Sequence, residues 1–213
     1  MQMPRPSRFS EAQILDAAAE IVAAGGPGAA TIGAISNMLK APSGSIYHRF
    51  ASRDVLLGRL WLSKAAFFQN RFAAALADRE PVKAGVAAAL SIVRAVRDDF
   101  AGARIMLLHR RGDFLDGDWP PDMAAEAIRL KHQVDDAMSD IVRRLFGRVG
   151  PETFQLAYFA MIDVPLAAVR RHVANNEMPP RSVEDLIART YAALIAPARR
   201  RGRAPKAARR SSE

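Results

Sequence analysis

From Phe9 to Ile195 the apolar residues return at three- and four-residue steps, and no run alternates as a half-buried strand does. That rhythm restricts the chain to helices packed on helices, an all-α fold. Ser10 and Gln13 can form a reciprocal cap, with Phe9 and Ile14 placed as a hydrophobic staple, so a first helix starts there and buries Ile14, Ala18, Ile21 and Val22. Gly25-Gly26-Pro27-Gly28 stops it. Thr31 caps a short second helix with Ile32, Ile35 and Leu39 inward, and Lys40-Ala41-Pro42 breaks it. A third helix runs from Ser43 to Arg49, with Ile46 and Phe50 on its inner side. Ser52 caps a long fourth helix to about Asp78. At 1.5 Å per residue it spans roughly 40 Å, enough to join two domains. Further helices are predicted at about 81–100, 103–111, 123–146, 151–175 and 182–196, with a loop at Gly112–Asp122. Pro165 should kink the penultimate one.

The net charge of +9 is unevenly placed. Residues 198–213 hold seven Lys/Arg against one Glu, whereas residues 61–197 are almost balanced, so a short Arg/Ala/Pro/Gly/Ser-rich tail, predicted to be disordered, makes the chain basic. Two uses of that tail stay open: a solubilising end, or an electrostatic arm that adds phosphate contacts without reading bases. The absence of cysteine excludes disulfides, thiolate metal sites and cysteine nucleophiles. No stretch approaches the ~20 apolar residues of a membrane span. The N-terminus lacks the apolar run of a signal peptide. A cytoplasmic protein without a membrane partner is expected.

Two short helices joined by a three-residue break, Thr31 to Arg49, have the proportions of a helix-turn-helix. With Ile46 and Phe50 inward, Ser43, Ser45, Tyr47, His48 and Arg49 can face away. Small residues there let the backbone approach a DNA groove, and hydroxyls and an imidazole can bond phosphates or base edges. Arg49 and Arg53 can equally be solvated charges. Among the remaining histidines, His109, His132 and His172, none has the i, i+4 partner and carboxylates of a metal site. The glycines at 25–28 lack a following Lys-Ser/Thr, so no phosphate loop is present, and no nucleophile elbow appears. No cofactor is called for.

The run Ala41-Pro42-Ser43-Gly44-Ser45-Ile46-Tyr47-His48-Arg49-Phe50-Ala51-Ser52-Arg53-Asp54-Val55-Leu56 closely resembles the recognition segment of the tetracycline-repressor (TetR) family. The strong resemblance covers about the first 60 residues. It implies a homodimeric transcription regulator with a DNA-binding domain at 1–52, a ligand-binding and dimerisation domain at 53–197 and the basic tail at 198–213. Its partners would be a double-stranded palindromic operator, a second copy of itself and a small-molecule effector. Carried over by position, Thr31, Ser43, Gly44, Ser45, Tyr47 and His48 lie at the DNA, and Arg53 takes the place of a phosphate-contacting lysine. Two positions depart from the pattern. Lys40 stands where the turn usually has glycine, so the backbone there must manage without glycine's freedom. Pro42 stands where a capping serine is usual, which leaves Ser43 as the expected cap.

Arg104, His109, Trp119 and Asp163 interrupt or flank apolar segments and are candidates for orienting a largely apolar ligand. The stripe Val183, Leu186, Ile187, Tyr191 and Leu194 can pack within the chain or against a second copy. The resemblance favours the second copy, with Tyr158, Val169, Leu186, Ile187 and Leu194 at the dimer interface. The rival assignments are an all-helical ligand carrier or enzyme without DNA specificity, and a nonspecific DNA-compacting protein.

Overall fold

The computed structural model describes residues 9–114 and 119–203, the last three by their backbone alone, and every regular element among them is helical. Helices α1 (Glu11–Gly25), α2 (Ile32–Leu39) and α3 (Ser43–Tyr47) form the first unit. The caps predicted for it are formed. Gln13 N donates to Ser10 Oγ (3.2 Å) while Ser10 N donates to Gln13 Oε1 (2.8 Å), and Ala34 N donates to Thr31 Oγ1 (3.1 Å). Ile14, Ala18, Val22, Ile35, Ile46 and Phe50 are enclosed in one core. That core is completed by Leu56, Leu57 and Leu60 of α4 (Arg53–Ala75) and by Ile105 of α6 (Phe100–Leu108). At 1.5 Å per residue α4 is about 35 Å long, so its two ends serve different neighbourhoods. It ends three residues before the predicted Asp78, and the carbonyls of Leu76 and Asp78 just past its end accept from the Arg144 guanidinium (3.0 Å for Leu76).

The larger unit consists of α4, α5 (Pro81–Asp98), α6, α7 (Pro121–Phe146), α8 (Pro151–Tyr158), α9 (Val164–Ala174) and α10 (Ser182–Arg203). The break between α5 and α6 falls earlier than predicted. Asp99 caps α6 through Gly102 N (2.8 Å) and also pairs with Lys64 of α4 (2.8 Å). Between α8 and α9 the ladder widens into a π turn over Phe159–Asp163. This is the form taken by the predicted kink: Pro165 has no N–H to donate to the Met161 carbonyl, and the wider turn accommodates its ring. One prediction is overturned. Helix α10 continues through Pro197 to Arg203 instead of ending at Ala196. The carbonyl that Pro197 leaves unbonded belongs to Ala193, on the exposed face, where water can satisfy it. Residues 204–213 of the tail lie outside the described residues.

Helix α10 is locked to α5 by Glu184, which pairs with Arg94 (3.0 Å) and Arg97. Burial works against its charged form, but hydrogen bonds from Arg97 and Arg94 prevail and hold the carboxyl below the usual glutamate range. Further along, Gly85 makes room for Tyr191, whose hydroxyl would meet any added Cβ at 2.0 Å. Among the described residues, no helix is long and apolar enough to cross a membrane.

Candidate nucleic-acid interface

Helix α3 owes its outward face to two residues that turn inward. Ile46 is fully buried and Phe50 nearly so, which fixes the rotation of a five-residue helix that could not hold its place by propensity alone. Ser43, Gly44, Tyr47 and His48 are left exposed, and Ser45 is half-buried. Tyr47, at 54% exposure, is the largest side chain on this surface. Nothing in the chain lies within 4 Å of where a Cβ on Gly44 would sit, so no internal contact requires glycine there. Thr31 serves as the cap of α2.

The turn before α3 shows how both departures from the family pattern are accommodated. Lys40 adopts the left-handed conformation itself (φ 51°, ψ 42°), with its side chain exposed. Pro42, not the expected Ser43, is the N-cap; it offers no side-chain bond, and its fixed extended geometry (φ −61°, ψ 137°) sets the entry into the helix. Ser36 Oγ donates to the Ala41 carbonyl and ties the turn back to α2.

Two arginines have roles that the sequence does not suggest. Arg49 donates from Nε (3.0 Å) and Nη2 (2.5 Å) to the Phe9 carbonyl, tying α3 to the start of α1. Arg53 was expected at a phosphate. Instead its Nε donates to the Ala30 carbonyl (3.0 Å) and its Nη2 to the Pro27 carbonyl (2.5 Å), with Asp54 3.4 Å from Nη1. The Pro27 carbonyl already accepts from Ala30 N (3.2 Å), and the Arg53 fork at the start of α4 adds charged donors to it and to the Ala30 carbonyl.

Residues 14–60 match the family model described as bacterial regulatory proteins, tetR family. The chain belongs to the TetR family. It is a DNA-binding transcriptional regulator with a helix-turn-helix in its first unit. Solved structures share the fold beyond that segment. A tetR-family regulatory protein from Rhodococcus RHA1 is 20% identical with a TM-score of 0.67, covering 90% of this chain and 98% of that one. FadR from Bacillus subtilis, solved in complex with stearoyl-CoA, is 15% identical with a TM-score of 0.66 over 88% and 98%. PfmR from Thermus thermophilus is 16% identical with a TM-score of 0.64 over 86% and 97%. Compared by sequence, no curated protein matches.

The larger unit of this TetR protein contains a cavity of about 290 Å³. Its walls are Phe68, Gln69 and Phe72 of α4, Ile92 and Val96 of α5, Ala103, Met106 and Leu107 of α6, Val134 of α7, and Tyr158, Ile162 and Leu166 around the π turn. None of the four predicted ligand residues lines it. Arg104 is turned away to clasp the Ala23 carbonyl of α1 (2.7 Å), the Val173 carbonyl of α9 (3.0 Å) and Asn176 (3.2 Å). His109 lies edge-on to Phe114, which is buried in the first unit's core. Trp119 packs edge-on against Trp61 at 5.8 Å under the Arg111 guanidinium. Asp163 is exposed on the π turn. A charged group enclosed by apolar walls needs a partner, and backbone carbonyls supplied it for Arg104. Gln69 was missed, although it falls with Ala65, Phe68 and Phe72 on one helix face, where a polar residue is out of place.

The residues proposed for a second copy separate by helix face. Val169 and Ile187 are buried in this chain's own core, as are Val183, Tyr191 and Ile195, because steps of four along α10 all point inward. They cannot be presented to a partner. Tyr158, Phe159 and Leu186 are exposed, and Leu194 is half-buried. Ile195 of α10 is buried in the same core as Leu76 and Tyr191.

Proposed function

We propose that the protein is a homodimeric cytoplasmic repressor that holds a palindromic operator through two copies of α3, and that a small, largely apolar ligand in the cavity releases it. The observation that carries this is the double role of α6. Its Ile105 is buried in the core that positions α3, while its neighbours Ala103, Met106 and Leu107 line the cavity. Arg104, on the same helix, clasps α1 directly. A ligand that shifts α6 therefore acts on the packing of the recognition unit, and it favours whichever arrangement it binds better. Two linked half-sites about 34 Å apart require two linked recognition helices. The exposed apolar side chains Tyr158, Phe159 and Leu186 supply a surface for pairing.

The stearoyl-CoA bound by the Bacillus subtilis neighbour is not carried over. No Lys or Arg is among the residues lining the cavity to meet a phosphate. Selection of genomic DNA fragments on the native protein tests the proposal. Recovered fragments sharing an inverted repeat support it. Random recovery would point to a DNA compactor, no recovery to a carrier, and either result overturns it.

A further inference from the structure

One wall of the cavity carries a polar side chain, Gln69, with an oxygen that the protein leaves unused. Gln69 Oε1 is fully buried and has no hydrogen-bond partner among the described residues. Apart from the Tyr158 hydroxyl on an exposed residue at the rim, every other lining side chain is apolar. A buried acceptor without a donor is destabilising, and natural cores rarely keep one without a reason. The other orphan, the Tyr191 hydroxyl, is pressed against Gly85 with no space beside it, so packing accounts for it. The Gln69 side chain instead lines the cavity, and rotation of its amide about the last side-chain bond brings Oε1 to the open volume.

We propose that the effector is an uncharged molecule, apolar except for one hydroxyl, and that Gln69 selects it by accepting the hydroxyl's hydrogen bond. This rests on the ligand-release function proposed above. The hydroxyl follows from the orphan acceptor: it donates to Oε1 and can accept from Nε2 of the same amide. The neutrality follows from the walls. An ionised carboxylate would enter an apolar enclosure without a cation, and it has no proton to give Gln69. A site built to hydrogen-bond a hydroxyl rejects the analogue that lacks it, because its own polar atom is then left unpaired.

The test is calorimetric titration of the full-length protein with 1-nonanol, 1-methoxyoctane and nonanoate. The first two have the same number of non-hydrogen atoms, and only the alcohol can donate. Native protein should bind 1-nonanol about 3–10-fold more tightly than the ether, the worth of one neutral hydrogen bond, and nonanoate more weakly than either. Gln69→Leu should bind alcohol and ether equally, and its ligand-free Tm should rise by about 2–4 °C as the orphan acceptor is removed. Gln69→Met, closer in shape, should repeat the loss of preference. Equal binding of alcohol and ether by native protein, a preference that survives both substitutions, or tightest binding of nonanoate would overturn the assignment of Gln69. If none of the three probes binds, the ligand-release function itself fails.

Discussion

On α3 the side chains proposed to meet DNA are the ones left in solvent, and two enclosed neighbours, Ile46 and Phe50, hold them there. Around the cavity the informative side chain is the hidden one, Gln69, whose acceptor has no donor. The two regions teach different lessons about reading function from burial. A surface site consists of residues that the core does not need. An interior site is recognised by a polar group that the core fails to satisfy. Arg53 and Arg104 show the risk of using one rule for both, since each was expected at a partner and each satisfies backbone carbonyls inside the chain.

The contrast can be broken by substitution. Ile46→Ala should have the largest effect, destabilising the first unit by about 2–5 kcal/mol through lost burial and a cavity. Chemical denaturation measures it, and a cost near zero would mean that α3 is not held by its inner face. Arg53→Ala is next. It strips charged donors from the Pro27 and Ala30 carbonyls and should cost about 1.5–3 kcal/mol of stability. If stability is unchanged while the slope of log affinity against log salt flattens by about 0.9, Arg53 is a phosphate contact after all.

Lys40→Gly should have the smallest effect, and in the opposite direction. It relieves the left-handed strain of a side-chain-bearing residue, partly offset by the freedom glycine gains in the unfolded chain, for a net stabilisation of about 1 kcal/mol. A destabilised variant would show that the Lys40 side chain contributes to the fold.

The first unit was largely legible because its devices are local. The Ser10–Gln13 cap, the Thr31 cap and the inward pair Ile46 and Phe50 depend on spacings of three or four residues. The larger unit was less so. Val169 and Ile187 carry the same apolar signal whether they face their own core or a second copy, and only the packing of α5 against α9 and α10 decides. Arg49, Arg53 and Arg104 reach carbonyls 23 to 81 positions away in sequence, a separation no periodicity encodes. The tail is an intermediate case. Its charge was plain, but the continuation of α10 through Pro197 to Arg203 was not.

The central claim is that the outward face of α3 reads DNA while its inward face only holds it in place. Tyr47→Ala tests it most directly, with operator affinity measured by gel-shift titration on a selected inverted repeat and thermal unfolding followed on the same sample. The account predicts a loss of about 1–3 kcal/mol in binding with Tm unchanged, because an exposed side chain contributes little to the core. Unchanged affinity, or a loss of affinity that merely follows a loss of stability, would contradict it.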